Sequence, residues 1–246
     1  MQAVLFSLLA TILGTLLGSL IAVWAGNRSP KIINYLLSLA AGFMLSLVFF
    51  DLVPEVLEIA SVPLTILGIG IGIAVILIFD TVSDKMADGK DGEIPQAKVK
   101  NEILRSGYIM LVAVGIHNLP AGLAIGAGAE HHIGFAATMA LTLALHNIPE
   151  GVATAALLLA GGAKKRNAVL LSTLTGVPTI LGATIGYFVG NMSDVAMALT
   201  TSAVAGIILY MIFEEILPKG AAILKTRLTT VFTLLGIIIG IVAISG

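Results

Sequence analysis

The chain contains no cysteine and has few charged or aromatic residues. Without cysteine it has no disulfide and no thiolate metal site. Charged residues make up 11% of its 246 residues, whereas soluble domains carry about 25%. The net charge of -1 argues neither for nor against a nucleic-acid partner, but the apolar composition leads us to expect none. Hydrophobic residues make up 58% of the chain, with a mean hydropathy of +1.06. This composition predicts an integral membrane protein without a sizeable soluble domain.

The apolar residues fall into eight segments near the length of about 20 residues that a spanning helix needs. The first segment lacks the basic flank of a signal peptide and is too long for one, so we expect it to be retained. The sequence predicts an all-α membrane protein, a single domain over 1–246, with a mobile cytoplasmic loop at about 81–105. The predicted spans are 3–25, 32–53, 62–80, 106–129, 133–161, 168–190, 195–217 and 227–245.

The basic residues determine the predicted orientation of this eight-helix bundle. All 13 lie in the joints after spans one, three, five and seven, so all fall on one side. The positive-inside rule makes that side cytoplasmic and places both termini outside. They are Arg28, Lys31, Lys85, Lys90, Lys98, Lys100, Arg105, Lys164, Lys165, Arg166, Lys219, Lys225 and Arg227.

Acidic residues and histidines gather on the predicted outer side, where no lysine or arginine lies. They either solvate the outer loops or form a negative entrance that concentrates cations. These residues are Asp51, Glu55, Glu58, Glu130, His131, His132 and Asp194.

Glycines also recur at four-residue spacing, which lets membrane helices approach closely. The pairs are Gly14/Gly18, Gly122/Gly126, Gly182/Gly186 and Gly236/Gly240.

Two related polar motifs stand out, His-Asn-Leu-Pro at 117–120 and His-Asn-Ile-Pro-Glu at 146–150. Each histidine lies about 16–20 Å along its helix, near the bilayer midplane. Polar residues at this depth are costly, so they indicate function. The alternative is that His and Asn join helices by hydrogen bonds and that Pro only kinks them. Two matching motifs at one depth favour a cation site.

The prolines in these motifs predict interruptions of helices four and five. Pro120 and Pro149 have no N–H, which frees the carbonyls of Ile116 and Leu145. His146 and Glu150 are four residues apart and share one helix face. Imidazole, carboxylate and amide oxygen together suit Zn²⁺, Fe²⁺, Mn²⁺ or Co²⁺ better than Cu⁺.

These features resemble the ZIP (Zrt/Irt-like) family of divalent metal transporters, in its prokaryotic type. The resemblance covers essentially the full length. Beyond the two motifs it includes Gly42-Phe43-Met44, Leu52-Val53-Pro54-Glu55 and Glu214-Glu215-Ile216-Leu217-Pro218.

The resemblance implies a set of metal ligands. The motif positions that match the family's ligands are His117, Asn118, Asn147 and Glu150. His146 stands where the family often has Gln or His, and Met44 matches a span-two position that can face the site. Asp80, Glu214 and Glu215 at the cytoplasmic ends of spans three and seven then form a metal exit, unless they are ordinary interfacial acids.

The chain departs from the family pattern at two positions. Ala121 replaces a frequent span-four Glu, and Val177 stands where a Glu often precedes a Pro in span six. We therefore expect a single central metal, or a weak second one.

The sequence thus predicts a transporter that moves a divalent metal, foremost Zn²⁺ but also Fe²⁺, Mn²⁺, Cd²⁺ or Co²⁺, towards the cytoplasm. It implies no cofactor, the lipid bilayer as surroundings and the plasma (inner) membrane of a prokaryote, and the resemblance to the family makes a homodimer a candidate assembly. One rival is a metal sensor or scaffold without transport, which the missing carboxylates favour. The other is an intramembrane metalloenzyme, but no His-Glu-x-x-His motif supports it.

Overall fold

The computed structural model describes residues 2–87, 95–128, 133–189 and 193–245, and this part is helical without any strand. We label its α-helices α1 to α11 and its two π-helical turns π1 and π2. In chain order they are α1 (Gln2–Gly26), α2 (Pro30–Leu47), π1 (Val48–Leu52), α3 (Val53–Ile59), α4 (Val62–Ala87), α5 (Pro95–Gly128), α6 (Ile133–Ala160), α7 (Lys165–Leu174), α8 (Val177–Val189), α9 (Asp194–Tyr210), π2 (Met211–Ile216), α10 (Leu217–Ile223) and α11 (Leu228–Ser245).

Within the described residues, seven helical stretches are long and apolar enough to cross a membrane. They coincide with the first seven predicted spans, so the chain is an integral multi-pass membrane protein. The predicted eighth span corresponds to the shorter apolar helix Leu228–Ile244, at the lower end of the about 17–25 residues that spanning requires. The eighth crossing and the outer position of both termini therefore stay predictions.

Close contacts at glycines pair the long helices. A Cβ added at Gly18 in α1 would overlap the carbonyl oxygen of Ile148 in α6. Glycines produce equivalent contacts between α5 and α8, α2 and α11, and α4 and α9, the other main helix pairs. The glycines involved are Gly14, Gly18, Gly151, Gly122, Gly126, Gly182, Gly42, Gly236, Gly240, Gly68, Gly72 and Gly206. Most of the predicted glycine positions therefore form backbone-to-backbone contacts, as expected in lipid.

The predicted interruption of helices four and five is wrong. Pro120 and Pro149 both lie inside continuous helices, α5 and α6. A missing hydrogen bond per proline is tolerated because neighbouring helices and polar side chains satisfy the freed groups. The break in this region lies in span six instead, where a turn at Thr175 and Gly176 separates α7 from α8 just before Pro178.

Two further irregularities lie in spans two and seven. Both π1 and π2 end two residues before a proline, and the last amide N–H before that proline donates to the carbonyl five residues back. The acceptors are Val48 and Ile212. Aligning Pro54 with Pro218 also aligns Asp51 with Glu215. Single π turns are frequent at functional sites, and each of these turns carries one of the two acids.

The joint between spans three and four, predicted to be cytoplasmic, is shorter than the predicted loop. Helix α4 continues to Ala87, and α5 begins at Pro95. The intervening residues 88–94 lie outside the described part, so the mobility of this loop and the single-domain organisation stay predictions.

Candidate metal centre

Two histidines converge on one carboxylate in the middle of the bundle. The Nε2 atom of His117 lies 2.8 Å from Oε1 of Glu150, and Nε2 of His146 lies 3.3 Å from the same oxygen. The ligand atoms of all three residues lie within 4.8 Å of one another. His117 and Glu150 are buried, and His146 is partly exposed. This arrangement can hold a metal ion that prefers nitrogen and oxygen ligands.

The helices themselves produce this convergence. His146 and Glu150 lie one turn apart on α6, so both project from the same face. His117 comes from α5, which packs against α6. The rings of His117 and His146 lie 5.8 Å apart and are tilted by 57°, so both imidazoles can point to one ion without stacking.

Several polar atoms at the centre have no hydrogen-bond partner among the described residues. They include Oε2 of Glu150, Nδ1 of His117, Oδ1 of Asn118 and both amide atoms of Asn147. Asn118 donates through Nδ2 to the carbonyl of Thr175, 2.9 Å away, at the break between α7 and α8. Buried polar groups normally have partners, so a cation is a fitting occupant for the acceptors among these atoms, and its water ligands can accept from Nδ2 of Asn147.

A cavity of about 230 Å³ leads away from the two histidines. Asp51 on π1 and Glu55 on α3 line it, together with Met197 and Thr201 on α9. Because Asp51 and Glu55 belong to the predicted outer side, the cavity opens the candidate site towards that side. The residues that line it are Asp51, Leu52, Glu55, His117, Pro120, Ala121, Ile125, Leu143, His146, Met197, Thr201 and Val204.

A family model described as ZIP zinc transporter matches residues 83–246, which include both His-Asn motifs and the residues that converge. The chain belongs to the ZIP family of divalent metal transporters.

Relatives from bacteria and a plant agree with this assignment. The zinc transporter ZupT of Chlorobaculum parvum is 30% identical over 216 residues, 81% of each chain. The ZupT of Escherichia coli is 30% identical over 203 residues, 80% of this chain and 79% of that one. A relative from Arabidopsis thaliana is 28% identical over 182 residues, which are 73% of this chain but only 28% of the plant protein.

The two departures from the ZIP pattern lie in different surroundings. Ala121 lines the cavity beside His117, so its side chain faces the candidate site. Val177 is 43% exposed and is absent from the lining. A carboxylate is therefore missing directly beside the candidate ligands only at Ala121.

The acids predicted to form the metal exit have different partners. Asp80 pairs with Arg105 at 2.6 Å and accepts a hydrogen bond from Tyr210 at 2.5 Å. Glu215 on π2 is buried and lies close to Ser106, Asp80 and Arg105. Glu214, by contrast, is exposed. Asp80 and Glu215 thus lie in one polar network formed by α4, α5, α9 and π2, whereas Glu214 lies at the surface.

Met44, the remaining predicted ligand, lies in the apolar core of the bundle with 1% of its surface exposed. It is not among the residues that line the cavity. The described geometry therefore gives no support to a ligand role.

Sequence reasoning did not single out several residues of these two regions. Thr201 and Met197 line the cavity, and Arg105 and Tyr210 hold Asp80. The position of Arg105 at the start of an apolar span, two residues after the buried Ile103, is a signal that could have identified it. Nothing in the local sequence marks Thr201 or Met197.

Proposed function

We propose that the chain moves a divalent transition-metal ion, Zn²⁺ foremost, into the cytoplasm through a site formed by His117, His146 and Glu150. The observation that carries the proposal is the approach of two buried imidazole nitrogens to one carboxylate oxygen at the end of an acid-lined cavity. Fe²⁺, Mn²⁺, Cd²⁺ and Co²⁺ share this ligand chemistry and are the further candidate cargoes.

The amide oxygens of Asn118 and Asn147 extend this ligand set. Their unpartnered oxygens are buried next to the histidines in sequence, and neutral oxygen ligands add affinity without adding charge. Transport requires binding that is strong enough for entry and weak enough for release. One carboxylate with neutral nitrogen and oxygen ligands meets that requirement.

The proposed route begins at the outer acids. Asp51 and Glu55 attract the hydrated ion into the cavity, and the ion exchanges water for His117, His146 and Glu150. It leaves towards Asp80 and Glu215, whose network with Arg105 and Tyr210 lies at the predicted cytoplasmic ends of the helices. This route and the location in a prokaryotic inner membrane rest on the positive-inside orientation.

Uptake into proteoliposomes tests the proposal. Purified protein is reconstituted, and entry of Zn²⁺, Cd²⁺, Fe²⁺, Mn²⁺ and Co²⁺ is followed with and without a pH gradient. We expect saturable Zn²⁺ entry that needs both His117 and Glu150. Binding of metal without flux under every gradient would instead support the sensor or scaffold, the function favoured by the missing carboxylate at Ala121.

A further inference from the structure

A groove on the side of the bundle has no role in the route described above. It runs between α1 and α7 and has a volume of about 480 Å³, within the range of about 300–1,000 Å³ typical of small-ligand sites. Its residues are Leu16, Val23, Lys165, Arg166, Val169, Leu170 and Thr173. The groove thus combines an apolar floor with two cations.

The cations lie at one end of this groove. Lys165 and Arg166 are the first two residues of α7, whereas Thr173 lies two turns further along the helix. On α1 the groove extends from Val23 to Leu16, about 10 Å at 1.5 Å per residue. The basic end therefore coincides with the predicted cytoplasmic surface, and the apolar part extends into the membrane.

No acid offsets the basic end. The segments 1–50 and 161–193, which contain α1 and α7, have no Asp or Glu. Lys165 and Arg166 form no ion pair with a carboxylate in the described part of the chain. Both side chains are exposed, so they are free to bind an anion.

The start of α7 adds further donors at the same end. No side chain caps this helix: its N-cap residue, Lys164, makes no capping hydrogen bond. The backbone N–H groups of the first turn therefore point outwards without a side-chain acceptor. Such groups, together with the helix dipole, favour a phosphate.

We propose that the groove binds one anionic phospholipid of the cytoplasmic leaflet. Lys165, Arg166 and the first turn of α7 hold its phosphate, and one acyl chain lies along Val169, Leu170 and Leu16. Basic pockets between membrane helices on the cytoplasmic side are suited to anionic head groups. The apolar floor favours a lipid over a free phosphate, because only a ligand with an acyl chain makes apolar contacts with Leu16 and Val169.

The fluorescence of a tryptophan next to the groove can report which lipid binds there. The chain's single tryptophan, Trp24, directly follows the groove residue Val23, is 53% exposed and lies under the guanidinium of Arg28. Lipids with brominated chains quench tryptophan at short range. Quenching by brominated phosphatidylglycerol and by brominated phosphatidylcholine, at equal mole fractions in vesicles, therefore measures which lipid resides next to α1.

We expect stronger quenching by phosphatidylglycerol in the native chain. The double substitution Lys165→Gln and Arg166→Gln should weaken the apparent affinity by about fivefold per removed charge, because each basic residue near the surface contributes about 1 kcal/mol. The matched control is Lys225→Gln with Arg227→Gln, two basic residues of the same predicted face that lie between α10 and α11. This control variant should still be quenched more strongly by phosphatidylglycerol than by phosphatidylcholine.

A second variant tests the apolar part separately. Val169→Phe fills the groove without changing charge and should also lower the preference for phosphatidylglycerol, while thermal unfolding verifies that the variant is folded. Equal quenching by both lipids in the native chain would overturn the proposal. So would an equal loss in the Lys225/Arg227 control, or a preference that disappears as the protein-to-lipid ratio rises, since a second copy of the chain would then cover the groove.

Discussion

Among the described residues, Glu150 is the one carboxylate of the candidate metal centre, and two imidazole nitrogens approach it. Replacing it with Gln preserves the shape of the side chain and removes the charge. We expect Glu150→Gln to weaken metal uptake by more than about 100-fold, because the loss of an outer-shell partner alone costs about 10–100-fold in metal affinity. Radiotracer uptake into proteoliposomes measures this.

The control for this substitution is Glu58→Gln, which alters an exposed acid that does not line the cavity. It should leave uptake within about twofold of the native rate, as expected of a screened surface charge. Native uptake by a folded Glu150→Gln protein would remove Glu150 from the proposed site.

Ala121 determines how many ions the centre is expected to hold. It lies one turn after His117 and lines the same cavity. Two divalent ions a few ångströms apart repel strongly unless anions compensate, and Glu150 alone compensates little. We predict one tightly bound metal per protomer, measured by calorimetry or anomalous scattering, and a higher affinity or a second ion in Ala121→Glu. Two fully occupied central metals in the native protein would contradict this account.

At the scale of the helices, the contact between α4 and α9 offers a closely matched pair of substitutions. A Cβ at Gly72 would overlap the backbone of Ala203, whereas a Cβ at Gly70 meets nothing within 4 Å. We expect Gly72→Ala to destabilise the protein by about 1–3 kcal/mol, as overpacking does. Gly70→Ala should be neutral or stabilising by up to about 1 kcal/mol. Thermal unfolding in detergent compares the two, and equal melting temperatures would refute the close contact.

The irregular parts of the helices show where sequence reasoning succeeds and where it ends. Spacing and depth were enough to place His117, His146 and Glu150 on two neighbouring helices. The prolines beside them were a misleading signal, because one lost backbone bond does not end a helix that is packed on several sides. The true break at Thr175 and Gly176 had a signal, since a glycine two positions before Pro178 is typical of a turn.

The π turns and the network around Asp80 had no comparable signal. A π turn contains one residue more than an α-helical turn. The residues Phe-Asp-Leu-Val-Pro have the same local propensities in either kind of turn, so the sequence does not distinguish them. The pairing of Asp80 with Arg105 and Tyr210 joins three spans. It follows from how those spans pack together, which composition and periodicity do not determine.

At the scale of the whole molecule, the orientation in the membrane is the principal remaining prediction. The chain has no cysteine, so single cysteines can be introduced without background. Glu58→Cys should react with an impermeant maleimide in intact cells, because Glu58 is exposed on the predicted outer side. Lys164→Cys should react only after permeabilisation, because all basic residues lie on the predicted cytoplasmic side.

The opposite labelling pattern would reverse the proposed direction of transport. Reaction of both cysteines from outside would instead mean that an even number of membrane crossings separates positions 58 and 164, whereas the eight-span prediction places three spans between them. Lys90 on the predicted cytoplasmic side and His131 on the predicted outer side lie outside the described residues. Lys164 and Glu58 are therefore the better labelling positions.

The ion pair between Arg105 and Asp80 places a cation at the predicted cytoplasmic end of the molecule. If Asp80 and Glu215 pass metal to the cytoplasm, as proposed, the arriving ion and the guanidinium compete for the same carboxylates. Arg105 then acts as a competitive inhibitor that is covalently attached to its target, at an effective concentration that does not change with its surroundings. Such an inhibitor cannot be diluted, so it would raise the metal concentration needed to half-fill the exit by a constant factor, whatever the amount of protein.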